Sequence, residues 1–153
     1  MKVLLIQDNA INESLALTDL AALLRSKGHE CDLLIEREER DMLAEASRIS
    51  PDVAIIPCSI GAHGFALKAA KGIKERLSIP VIFAGSHATF FPEVIGEGPV
   101  DAVAIGEAEL SIAEYLQKLG KDPRRTRGMW VKEGGRIFRN KLRPLVENLD
   151  ALP

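Results

Sequence analysis

Residues able to do chemistry gather in four short stretches of this sequence: Gln7 to Glu13, Pro57 to Gly64, Gly85 to Glu93 and Gly106 to Glu109. The first offers two carboxylates, Asp8 and Glu13, and no glycine. The second, with Ser59, Ile60, Gly61 and His63, brings a hydroxyl, an imidazole and yielding backbone. In the third, Gly85, Ser86, His87 and Thr89 put two hydroxyls beside another glycine, with small side chains that let a broad surface approach. The fourth, Gly106-Glu107-Ala108-Glu109, can accept hydrogen bonds from amide donors. Together these stretches suit a large, flat, mostly uncharged ligand rich in amide groups, although other polar ligands would also fit them.

Several common chemistries are excluded by the same residues. A dinucleotide site needs G-x-G-x-x-G after the first strand so that backbone can approach a pyrophosphate. Here that stretch reads Gln7-Asp8-Asn9-Ala10-Ile11-Asn12-Glu13-Ser14, and its carboxylates repel phosphate. A flavodoxin-type phosphate cradle fails likewise, because anions need free N–H groups and positive potential. A phospho-receiver domain needs an acceptor Asp after the third strand, where this chain has Pro57-Cys58-Ser59, and it has Gly106 where a lysine would follow the fifth. Asp8 reads as a local turn former. Glu107 and Glu109 suit equally the first turn of a helix, whose positive end favours acids.

The elements that position these stretches follow from hydrophobic periodicity. Val3 to Ile6, Cys31 to Ile35, Val53 to Ile56, Pro80 to Ala84 and Asp101 to Ile105 are short apolar runs, the mark of strands buried on both faces. Between them, helical spacing places Leu17, Leu20, Ala21 and Leu24 on one stripe, and Ala66, Ala69, Ala70, Ile73 and Leu77 on another. A charged helix is expected from about Glu38 to Ile49, and a last one carries Ile112, Tyr115, Leu116 and Leu119. Beyond Gly120, two β-prone runs flank Gly134-Gly135, a two-residue hairpin signal. The pattern predicts an α/β fold: a doubly wound, five-stranded parallel sheet, Rossmann-like or flavodoxin-like, with a C-terminal β-hairpin and strap. Residues 1–120 form the ligand-binding domain, and 121–153 a hairpin and linker extension packed on it. In such sheets ligands bind beyond the carboxyl ends of the strands, where the four stretches fall.

With 153 residues, 46% of them hydrophobic, one domain with a real core is expected. No apolar run approaches the ~20 residues that cross a bilayer, and the start turns acidic too soon for a signal peptide, so a cytoplasmic location without membrane contact is expected. Cys31 and Cys58 form no framework and read as small buried hydrophobes. Ten basic residues lie between Lys118 and Arg143 against only Asp122 and Glu133. They are scattered, which favours a solvated or interdomain face over nucleic-acid binding.

Four stretches also carry a resemblance. They are Pro80 to Glu93 with its Gly-x-His-x-Thr-x-x-Pro-Glu, Val100 to Glu109 with its Gly-Glu-x-Glu, the hairpin with Asn140, and Leu149 to Pro153. In these the chain resembles the cobalamin (B12)-binding N-terminal domains of radical S-adenosylmethionine (SAM) proteins. The resemblance implies cobalamin across the carboxyl edge of the sheet, facing a C-terminal radical SAM domain that is the partner. Ser59, Ile60, Gly61, Gly85, Ser86 and His87 match lining positions, and Gly106, Glu107, Ala108 and Glu109 the last lining loop. Two departures stand out. Cobalamin domains of the methionine synthase type carry Asp-x-His-x-x-Gly after the first strand, and here Ala10 stands at the histidine, so no protein residue is assigned as a metal ligand. Nor does the chain contain Cys-x-x-x-Cys-x-x-Cys, so a 4Fe-4S cluster and SAM would belong to the missing catalytic domain. The function implied is to hold the corrin for methyl transfer or rearrangement by that domain, with no turnover of its own. A cofactor-free docking or regulatory domain of the same fold is the alternative.

Overall fold

The computed structural model describes residues 1–10 and 14–148. Its strands and helices alternate in the order the sequence pattern sets. They are β1 (Lys2–Gln7), α1 (Leu15–Ser26), β2 (Glu30–Ile35), α2 (Met42–Ile49), β3 (Val53–Pro57), α3 (His63–Leu77), β4 (Val81–Ala84), α4 (Ser86–Phe90), β5 (Ala102–Ala104), α5 (Glu109–Lys118), β6 (Met129–Glu133) and β7 (Arg136–Arg139). A 3-10 turn, Pro92–Gly96, leads towards β5.

The strands form one sheet in the order β2-β1-β3-β4-β5-β6-β7. The first five are parallel, and the order reverses between β1 and β3. Apolar runs build such a sheet because alternate side chains point to opposite faces. Val3, Leu5, Ile55 and Ile82 pack on one side with α1 and α5, while Leu4, Ile6, Ile56 and Phe83 pack on the other with α2 and α3. Both cysteines are free and buried, as the sequence leads one to expect. Burial raises the thiol pKa of each, that of Cys58 to about 11.

Two expectations need correction. The sheet has seven strands, not five, because the hairpin joins it instead of packing outside it. Met129, Trp130 and Val131 of β6 pair antiparallel with Ala104, Val103 and Ala102 of β5. A three-residue β5 would otherwise present an open edge, and the hairpin closes it. Its turn places Gly134 and Gly135 at φ +57° and +75°, the positive pair a tight two-residue hairpin demands. Secondly, the charged helix starts at Met42, not near Glu38. The Asp41 carboxylate accepts from the Ala44 N–H at 2.9 Å and fixes that start.

Candidate functional site

At the carboxyl edge, the ends of β1, β3, β4 and β5 meet the first turns of α1 and α5. A cleft of about 190 Å³ opens there, walled by Ala16, Leu17 and Leu20 of α1, by Ile55, Pro57 and Ala84 at strand ends, and by the loop from Gly106 to Glu109. A second cleft, of about 260 Å³, lies alongside and is lined by Gln7, Asp8, Asn9, Ala62 and Phe65. Ser14, Pro57 and Ser59 belong to both, so the two meet where the strand order reverses. Among the described residues no hydrogen bond engages the Ser59 hydroxyl, which leaves it available at the junction.

Gly85 lines the first cleft and shows why a side chain is absent. Its φ of +115° and ψ of −170° lie where glycine alone is comfortable. An added Cβ would also stand 3.2 Å from the Cys58 carbonyl oxygen. That carbonyl accepts from the N–H groups of both His87 (2.9 Å) and Ala88 (3.2 Å), pinning the start of α4 to the end of β3. Helix α4 therefore replaces the loop that the sequence led one to expect from Gly85 onward.

Of the ten residues singled out, the structure gathers Ser59, Gly85, Gly106, Glu107, Ala108 and Glu109 around one cleft. The other four stand outside it. Ile60 is exposed, and its N–H donates to the Ser86 hydroxyl at 3.1 Å, so that hydroxyl ties two loops together. Thr89 does the same for the next loop, accepting from the Gly106 N–H at 3.1 Å. Gly61 is exposed at the preceding turn. His87 stacks on His63 with ring centroids 4.4 Å apart and planes at 8°, and the Phe91 ring, tilted by 32°, lies 5.1 Å from that of His87. The two imidazoles thus form part of an aromatic shelf, with Ile60, Phe90 and Phe91 exposed around it.

The cleft wall on α1 was missed. Leu17 and Leu20 carry the same helical spacing as core residues, and nothing in the pattern separates a stripe facing core from one whose upper turn faces a cleft. The small residue Ala16 beside them is the one sign.

Asp8, at the mouth of the second cleft, is not a free carboxylate. The Asn9 amide at 3.0 Å, together with the Arg37 guanidinium at 3.1 Å, holds its carboxyl below the usual range. One of the two charges expected to repel anions is therefore largely neutralised. Ala10 is exposed, and Ile11 to Glu13 lie outside the described residues, as do Leu149 to Pro153. Among the described residues, no group of three or more His, Cys, Asp or Glu side chains could hold a metal ion, and no helix is long and apolar enough to cross a membrane. A more capacious groove, about 620 Å³, runs instead between α1 and β2; its one cation among the described residues, Arg25, donates to the Cys31 carbonyl at 2.8 Å.

A flavodoxin-like sheet with a cleft at its reversal point is the arrangement in which α/β domains commonly hold small ligands. The sequence pattern of the B12 binding domain family matches residues 1–116, and the chain belongs to that family. It is 31% identical over 150 residues to the uncharacterized methyltransferase PH0819 of Pyrococcus horikoshii, an alignment that takes in 91% of this chain and 32% of that protein. The chain thus spans about a third of that relative's length. The receiver domain of NtrC4 from Aquifex aeolicus superposes with a TM-score of 0.51 at 20% identity, over 78% of this chain and 93% of that one. That likeness is one of fold alone.

Proposed function

We propose that this chain holds cobalamin at the carboxyl edge of its sheet for an adjoining radical SAM domain, which would carry the 4Fe-4S cluster and SAM and carry out methyl transfer or rearrangement. Family membership supports the cofactor, and similarity to an uncharacterized methyltransferase supports methyl transfer. The observation that carries the site is the cleft at the strand reversal, with its open Ser59 hydroxyl and small-residue walls. Its lining fits such a group: Ala16, Ala84, Gly85, Gly106 and Ala108 leave room for a flat edge to approach, and a Cβ at Gly85 would intrude on backbone.

When bound, the cofactor supplies the organometallic chemistry through its cobalt. The protein's part is position. Ser59 would donate to or accept from the ligand's polar rim, and Glu107 and Glu109 would accept from its amides. The apolar turn of α1 and the aromatic shelf of His63, His87 and Phe91 would keep water from the bound face. Ser86 would hold Ile60 and Gly61 in place from behind. With Ala10 at the position where cobalamin domains of the methionine synthase type carry histidine, the first loop would offer the cofactor no imidazole.

The test is retention of hydroxocobalamin by the purified chain after desalting, read by visible absorbance. Corrin should remain bound at near one equivalent. Ala16→Trp, which fills the cleft from an exposed helical position, should weaken retention by roughly 100-fold while leaving the fold intact, since surface changes usually cost under about 0.5 kcal/mol. A wild-type chain that emerges colourless would favour the cofactor-free docking domain instead.

A further inference from the structure

The strap that follows β7 returns to the cleft. It is held at three points, two through backbone and one through a side chain. The Lys141 carbonyl accepts from the Gly128 N–H at 2.9 Å. Arg143 donates to the Ser111 hydroxyl at 3.3 Å and pairs with the Glu114 carboxylate on α5. Farther along, the Val146 N–H donates to Oε2 of Glu107 at 2.7 Å. Apolar burial does little to seat this segment: Leu142 is 63% exposed and Leu145 is 74% exposed. The half-buried residues among 141–148 are Arg143 and Val146, and each of them carries a polar anchor. One of those anchors is a residue of the cleft wall.

A carboxylate has two oxygens and about four acceptor sites. Among the described residues, Val146 engages Oε2 of Glu107 and nothing engages Oε1. The strap therefore fixes the Glu107 side chain in one rotamer with an acceptor left over. A side chain already ordered loses less freedom when a ligand donor arrives.

We propose that Glu107 couples the strap to the cleft, so that seating of residues 141–148 and binding of an amide-donor ligand strengthen each other. The proposal rests on the reading of this cleft as the cofactor site and names how that site is regulated. Such coupling is reciprocal: the factor by which the strap tightens the ligand is the factor by which the ligand tightens the strap.

The experiment combines hydroxocobalamin titration with amide hydrogen exchange resolved at Val146. Saturating corrin should slow exchange at Val146 severalfold. Val146→Pro removes the donor while keeping an apolar residue, and should weaken corrin affinity by the same factor. Glu107→Ala should speed strap exchange in the ligand-free chain and weaken affinity about tenfold, the scale of one hydrogen bond to a charged acceptor. Glu107→Gln keeps a carbonyl oxygen for Val146 but turns a donor towards donors, so it should keep the strap protected and still lose corrin affinity. Circular dichroism confirms that each variant folds. Ligand-free Glu107→Ala with unchanged strap exchange overturns the latch. A wild-type chain that retains corrin without altered Val146 exchange overturns the coupling alone. No corrin retention by wild type removes the coupling together with the reading of the cleft.

Discussion

The two edges of the sheet treat their polar groups in opposite ways. At the amino edge, charges are consumed by one another and by backbone. Asp101 accepts from the Val81 N–H at 2.7 Å and pairs with Lys74 at 2.8 Å. Asp52 accepts from the Lys2 N–H at 2.8 Å, and the Lys132 ammonium donates to the carbonyls of Ile95 and Gly98 at 2.9 and 2.8 Å. At the carboxyl edge, Leu15, Ile60, Phe90 and Phe91 are exposed, and Ser59 and one oxygen of Glu107 stand without protein partners among the described residues. One edge is finished as structure and the other is left open, and that asymmetry locates function more firmly than any single residue does.

The sharpest way to break this contrast is Asp101→Ala. It strands the buried Val81 N–H and unpairs Lys74, so chemical denaturation should show a loss of about 2–3 kcal/mol with corrin affinity unchanged. Gly85→Ala tests the boundary between the edges' roles. Forcing a side chain into that backbone conformation and against the Cys58 carbonyl should cost about 1–3 kcal/mol, and here corrin affinity should fall as well. Phe91→Ser should leave stability within about 0.5 kcal/mol of wild type and weaken corrin retention, measured by equilibrium dialysis. A Phe91 variant as unstable as Asp101→Ala would erase the distinction.

The smallest effect is on pH. Burial would raise the Glu114 carboxyl, but hydrogen bonds from Lys118 and Arg143 overcome it and hold its pKa below 4.5. A depressed folded value means the contribution is complete above pH 4.5 and disappears as pH falls through that lower value. Protection factors along Lys141 to Val146, with the intrinsic pH dependence of amide exchange divided out, should accordingly fall only below about pH 4.5, before the sheet unfolds.

Much of this molecule was legible in its residues. Val3 to Ile6 read as a doubly buried strand because no polar residue interrupts it, and Gly134-Gly135 read as a turn because few other pairs accept two positive φ angles. The hairpin's membership of the sheet was not legible, since two β-prone runs declare their own pairing and say nothing of a third partner. The candidate site divides in the same way. Loops after strands could be located by counting elements, but Ser86 and Thr89 turned out to hold other loops, because a hydroxyl's identity does not reveal which way it points. Ala16 and Leu20 became cleft wall through packing between α1 and the sheet, a long-range outcome that local spacing does not encode.

The hairpin has one more consequence. Helix α5 descends from the carboxyl edge, β6 also runs away from it, and β7 climbs back, so the polypeptide emerges on the rim beside Glu107. An extended chain advances at most about 3.5 Å per residue, so Asn148 lies within roughly 7 Å of Val146. The route of the backbone thus returns residues 141–148 to the same rim as the cleft, where the Val146 N–H meets Glu107.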